Sequence, residues 1–250
     1  MQVVVDGLLT SYESLGSGEA VLLLHGWGDT SATFRTLQKS LSKRAQVIAL
    51  DLPGFGGTEP PQKVWSLDEY TQFVAHFLGK IEAGKLKLLV GHSNGGAIAI
   101  HGLATGILHA EKLALLASAG VRGTHKGKIQ AIKLFTKAGK VLTMPLPKSM
   151  KQTLRRKVYS AVGSDMLVAE HLQESFKRVI NQDVRAEAAG LRLPTVILYG
   201  DQDDATPPSY GRMFHEAISG STLQILAGAG HFVHLDRPAE VTAALEGLLS

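Results

Sequence analysis

Ser93 stands where a nucleophile is built. It lies inside Gly91-His92-Ser93-Asn94-Gly95-Gly96, a G-x-S-x-G spacing. The apolar run Leu86-Lys87-Leu88-Leu89-Val90 precedes it and Ala97-Ile98-Ala99-Ile100 follows. Length and period predict a buried strand, a very tight turn and a helix. A serine on such a turn sits in a strained backbone conformation. Its hydroxyl is lifted above the sheet edge at a helix N-terminus, where an anionic intermediate is favoured. Gly91, Gly95 and Gly96 are small enough to let strand and helix pass closely. A serine hydroxyl is inert until a base takes its proton and a third group orients that base. The chemistry implied is acyl transfer, and the chain must also supply a histidine and an acid.

The elements that would position them follow from the pattern. Alternating segments near 2–5 and 8–14 flank Asp6-Gly7, a hairpin signal. Ala20-Val21-Leu22-Leu23-Leu24 is continuously apolar, as a strand covered on both faces should be, and ends in His25-Gly26-Trp27-Gly28-Asp29. A helix is expected from about Ser31 to Lys43, with Phe34, Leu37 and Leu41 on one face. A strand is expected over Gln46–Leu50, followed by the Pro/Gly loop Asp51–Thr58. Ser66 and Glu69 form a capping box that opens a helix striped by Tyr70, Phe73, Val74, Phe77, Leu78 and Ile81. Further strands are expected at 112–117, 194–200 and 222–226, with helices near 207–218 and 238–249. Strand and helix alternate, so βαβ units in a mostly parallel eight-stranded sheet with helices on both faces are the economical α/β fold. The alternation breaks at about residue 120 and resumes at Pro194; residues 121–188 carry helical patterns only.

In an open parallel sheet, reacting groups collect at the carboxyl ends of the strands. After the strand ending at Tyr199 come Asp201, Asp203 and Asp204; after the strand ending at Leu226 comes Gly230-His231. The chain order is Ser, Asp, His. One oxyanion donor is expected from the backbone N–H of Asn94, the other from the loop after the third strand.

With these motifs in order, HGWG at 25–28, DLPGFGGT at 51–58, GHSNGG at 91–96, GDQDDATP at 200–207 and GHFVHLDRP at 230–238, the chain resembles the α/β-hydrolase superfamily. The resemblance is to its cap-bearing, lipase- and esterase-like branch. It implies that Asp203 is the acid, His231 the base and the backbone N–H of Trp27 the second oxyanion donor. It also implies that residues 121–188 form a lid inserted into a core of residues 1–120 and 189–250. The activity implied is ester hydrolysis through an acyl-enzyme, with no cofactor and no metal.

Other residues read as scaffolding. His25 holds its turn, His92 is a buried structural histidine, and Asp51 anchors a loop. His234 and Asp236 begin a solvated helix. Three neighbouring aspartates with no histidine beside them form an acid loop rather than a metal site. No carboxylate occupies Ser118-Ala119-Gly120, the position of the acid in some relatives.

Composition narrows the rest. There are no cysteines, which removes disulfides, thiolate zinc sites and cysteine nucleophiles. The N-terminal residues look like a first strand rather than a signal peptide, and no apolar run could span a bilayer, so a cytoplasmic protein is expected. The net charge of +4 is uneven: residues 122–187 hold fourteen lysines and arginines against five acids. Lys126, Lys133, Lys137 and Lys140 would share a helical sector of about 60°. This basic lid is expected either to cover an apolar acyl pocket or to draw an anionic substrate or lipid surface to it, by peripheral contact. No Arg-rich or aromatic surface accompanies the lysines, so nucleic acid is not expected.

Rival activities remain on the same residues. Serine at the turn argues against relatives that use aspartate there. A carbon–carbon bond hydrolase usually carries tryptophan after the catalytic histidine, where this chain has Phe232. A lactonase or a cofactor-free haloperoxidase shares the same three residues. A non-catalytic ligand receptor of this fold would not need an oriented Ser–His–Asp set.

Overall fold

A computed structural model describes residues 1–122 and 170–249. Eight strands form one sheet: β1 (Gln2–Val5), β2 (Leu8–Leu15), β3 (Ala20–Leu24), β4 (Gln46–Leu50), β5 (Leu86–His92), β6 (Ala110–Leu116), β7 (Thr195–Gly200) and β8 (Thr222–Leu226). Their spatial order is β1-β2-β4-β3-β5-β6-β7-β8. The first two pairings, β1 with β2 and β2 with β4, are antiparallel, and every later pairing is parallel. The β1–β2 turn places both Asp6 and Gly7 at positive φ, 49° and 82°, as a two-residue hairpin loop requires.

Helices cover both faces. On one side α2 (Leu67–Lys80) and α3 (Asn94–Thr105) bury Phe73, Val74, Phe77, Ile98 and Ile100 against Leu22, Leu24 and Leu89. On the other, α1 (Arg35–Leu41), the turn just before it and the C-terminal helix bury Phe34, Leu37, Leu41, Val241 and Leu245 against Val21, Leu23, Val47 and Val90. The strands between them are mostly apolar because neither face meets water. The capping box forms as expected, with Ser66 N–H donating to Glu69 at 2.6 Å. The helix expected from Ser31 to Lys43 is shorter. Ser31–Phe34 is a single 3-10 turn whose first amide is taken by the Asp51 carboxylate at 2.7 Å, and the α-helix begins only at Arg35.

Between β6 and β7 the described residues form α4 (Glu170–Ile180) and α5 (Arg185–Ala188). The first docks on the loops after β3 and β4. Its Leu172 packs against Gly54, and its Phe176 ring lies 5.4 Å from the Trp27 ring. Ser175 Oγ accepts Trp65 N–H at 2.9 Å. The lysines at 126, 133, 137 and 140 lie outside the described residues. Past β7 come α6 (Pro208–Ala217), α7 (Val233–Asp236) and α8 (Pro238–Leu249). Among the described residues no helix is long and apolar enough to cross a membrane.

Candidate active site

The carboxyl ends of β3, β5, β7 and β8 carry the HGWG turn, Ser93, Asp203 and His231. Ser93 is the residue before α3 and has φ 51° and ψ −116°, a conformation costing on the order of 1–3 kcal/mol in a residue with a Cβ. The surroundings enforce it. Ser93 N–H donates to Leu116 O at 3.0 Å, and Ser93 O accepts from Gly96 N–H at 3.0 Å and Ala119 N–H at 2.9 Å. A Cβ on Gly91 would strike the Gly96 backbone, and one on Gly95 would strike the Leu24 carbonyl at the end of β3. Glycine is required at both by close approach, as the sequence implied. Asn94 N–H opens α3, so the helix itself offers it no acceptor.

His231 Nδ1 lies 2.9 Å from Asp203 Oδ2, so the neutral ring donates to the carboxylate and turns Nε2 away from it. Asp203 is 3 % exposed. Its other oxygen, Oδ1, accepts two backbone N–H groups, from Ala205 at 2.8 Å and Thr206 at 2.9 Å. Neither neighbour shares this environment. Asp201 accepts Gly228 N–H at 2.7 Å from an exposed loop, and Asp204 is exposed. The structure therefore places Asp203, and neither of its neighbouring aspartates, against His231. It also supplies a partner that motif reading missed: the Thr206 hydroxyl is 2.7 Å from Asp203 Oδ2 and 3.1 Å from His231 Nδ1. The only sequence signal for it is a β-branched polar residue just before Pro207-Pro208.

Trp27 lies on the HGWG turn, its ring edge-on to Phe55 and Tyr70. His25 is fully buried and holds this turn. Its Nδ1 donates to Gly26 O at 2.7 Å while Nε2 accepts Leu52 N–H at 2.9 Å. Asp51 anchors its loop, taking Ser31 N–H on one oxygen and Gly57 N–H on the other. Phe232 is 36 % exposed, with its ring 5.5 Å from that of His231. Among the described residues no group of histidines and carboxylates could hold a metal ion. A groove of about 520 Å³ is lined by Leu103, His109, Glu187 and Arg192 at the amino ends of β6 and β7, away from Ser93 and His231.

His234 corrects the expectation of a solvated helix start. The single turn α7 faces Val233 and His234 inward and Leu235 and Asp236 outward, so His234 is 2 % exposed. Its Nε2 is 2.8 Å from Thr33 Oγ1. His92 is equally buried and donates from Nε2 to the His231 carbonyl at 3.0 Å, which fixes the backbone at His231. Burial, which penalises the charged imidazolium, pushes His234 down to about 3, and holds His92 well below and His25 below the usual histidine range.

The sign of the stability effect follows. Below about pH 6.5 the unfolded chain binds protons that the folded chain refuses, so stability is complete above that pH and is lost as the pH falls towards 3. Each such histidine withdraws up to about 1.4 kcal/mol per pH unit. Urea unfolding followed at pH 7, 6 and 5 should show the midpoint falling steeply, and less steeply in His234→Gln. A flat profile would refute the burial argument.

The Alpha/beta hydrolase family description matches residues 21–245 of the chain. An uncharacterised protein of Mycobacterium tuberculosis is 28% identical over 97% of this chain and 78% of its own length. The 2-hydroxy-6-oxo-6-(2'-aminophenyl)hexa-2,4-dienoic acid hydrolase of Metapseudomonas resinovorans is 24% identical over 99% of this chain and 90% of its own. The solved enol-lactonase of Burkholderia xenovorans LB400 superimposes with a TM-score of 0.82 at 21% identity, covering 100% of this chain and 99% of the other.

Proposed function

Since the chain belongs to the alpha/beta hydrolase family, we propose that it is a serine hydrolase that cleaves a carboxylic ester through an acyl-enzyme. The observation that carries this reading is the 2.9 Å bond between His231 Nδ1 and a buried Asp203, at the same sheet edge as a strained Ser93. That bond orients the neutral imidazole so that Nε2 is the free base.

In the proposed reaction Ser93 Oγ attacks the ester carbonyl as His231 Nε2 takes its proton. The backbone N–H groups of Trp27 and Asn94 receive the oxyanion, each contributing ~3–4 kcal/mol by analogy with measured donors. His231 then gives the proton to the leaving alkoxide, which departs as the alcohol. Water, deprotonated by the same nitrogen, attacks the acyl-enzyme; as the intermediate collapses the acid is released and Ser93 Oγ takes the proton back from His231. Asp203 stays ionised and stabilises the imidazolium formed in each half. Phe232 packs beside His231, and Phe176 packs on Trp27 of the HGWG turn, so aromatic side chains stand near these groups, which suits an apolar acyl chain.

A lactone is an ester closed on itself and would follow the same steps, so it belongs in the test with open-chain esters. A panel of p-nitrophenyl esters from acetate to palmitate, with simple lactones alongside, should reveal Ser93-dependent turnover. Absence of turnover and of burst release across the whole panel would overturn the proposal. The pH dependence is a second check. A histidine base works only when neutral, so kcat/KM should rise across the ordinary histidine range, ~6–7.5, and then level off. A profile that falls through that interval would count against a histidine base.

A further inference from the structure

We propose that Thr206 is a positioning residue that pins the acid–base pair to the same four-residue segment that fixes the nucleophile, so that residues 116–119 set the spacing between Ser93 and His231. The inference rests on the serine-hydrolase reading above and adds the device that holds its parts in register.

The Thr206 hydroxyl is 6 % exposed at the residue level and touches three groups. It lies 2.7 Å from Asp203 Oδ2, 2.9 Å from Ala117 O and 3.1 Å from His231 Nδ1. A hydroxyl has one proton and two lone pairs. The two oxygens at 2.7 and 2.9 Å are acceptors, so that proton is forked between them. The lone pair then faces the Nδ1–H of His231, which already donates to Oδ2. Serine, with the same hydroxyl, could make these bonds; valine, with the same shape, could make none.

The carbonyl on which the hydroxyl rests is not an arbitrary anchor. Strand β6 runs between β5, which carries Ser93, and β7, which carries Asp203. At its end Leu116 O accepts Ser93 N–H, and Ala119 N–H donates to Ser93 O. Between those two residues Ala117 sits at φ 45°, a left-handed conformation unusual for alanine. There its N–H donates to Leu198 O at 2.8 Å and its carbonyl meets Thr206. Tyr199 donates its hydroxyl to Ser118 O at 2.6 Å, closing the segment from the β7 side. One short stretch thus bonds the nucleophile on one flank and, through a single hydroxyl, the acid and base on the other.

The hydroxyl also has an electrostatic consequence. A donor on Oδ2 withdraws part of the negative charge that stabilises the imidazolium. Deleting it removes that donor together with the acceptor that faces the Nδ1–H, so the titration midpoint of His231 then changes. The other titratable groups that face His231 are His92, His234 and Asp29, which the substitution leaves in place.

The experiment compares Thr206→Val with Thr206→Ser in the full chain. The valine variant should lose roughly tenfold or more in kcat with KM within about threefold, because orientation rather than binding is lost. The serine variant should retain kcat within about threefold of the parent. The His231 imidazole, titrated by NMR in the absence of substrate, should change its midpoint in the valine variant and keep the parent's in the serine variant. If the valine variant does not fold, Thr206→Ala takes its place with the same two readouts. Unchanged kcat and titration on loss of the hydroxyl would overturn the inference, as would equal losses in the serine and valine variants. The NMR arm reads positioning without any ester, so failure of the hydrolase reading, seen as no Ser93-dependent turnover in the parent, is distinguished from failure of this one.

Discussion

Ser93→Ala is expected to lower kcat on a responsive ester by about 10⁴–10⁶-fold while leaving thermal unfolding close to the parent's. The chemical part follows because the proposed acyl-enzyme forms on the Ser93 hydroxyl. The structural part follows from where the strain resides. The bonds that fix this residue are backbone bonds, to Leu116, Gly96 and Ala119. Alanine keeps those bonds, the Cβ and the positive φ of 51°. It therefore inherits the same strained turn and loses only the hydroxyl. Retention of more than a tenth of the parent's kcat in a folded variant would refute the assignment of the nucleophile. A comparable fall in Tm would show instead that the hydroxyl serves the fold.

Asp203→Asn should cost about 10³–10⁴ in kcat, and the hydrogen bonds of this loop explain why the amide cannot escape by turning over. Oδ1 accepts two backbone N–H groups, from Ala205 and Thr206. The carboxamide oxygen must occupy that position, since an NH₂ group there would face two donors. The NH₂ is thereby aimed at His231 Nδ1, which now has to accept. The imidazole switches tautomer, Nε2 carries the proton, and no base faces Ser93. Asp201→Asn is a different case: its oxygen can still accept Gly228 N–H, and Asp204 is exposed. Each of those should cost less than about tenfold. If Asp201→Asn or Asp204→Asn proved the damaging change, the pairing of Asp203 with His231 would not be the working one. Kinetics of the three variants on one ester decide this, with urea unfolding as the control for stability.

Local pattern decided a large part of this molecule. The strand–turn–helix around Ser93, the glycines that the turn demands, the hairpin at Asp6-Gly7 and the capping box at Ser66 each depend on residues within a few positions of one another. The apolar strands announce a sheet covered on both faces, and strand–helix alternation announces parallel pairing. The order of Ser, Asp and His motifs follows from reading the strand ends alone. What short-range pattern could not carry is anything whose partner lies far along the chain. His234 and Asp236 belong to one short polar stretch, yet one is buried and the other exposed, because a single helical turn packs its inner side against Phe34 and His92. His92 bonds the carbonyl of a residue 139 positions away. The helix at Ser31 begins as a 3-10 turn because a carboxylate 20 residues on takes its first amide. The motif at 200–207 singles out Asp203 by resemblance, but its burial and its bond to His231 exist only when β7, β8 and the end of β6 converge. The sequence determined which side chains can react and on which edge of the sheet they stand. Only the tertiary structure decided the distances that bring Asp203, His231 and the Thr206 hydroxyl together, since those depend on strands that are adjacent in space and remote in sequence.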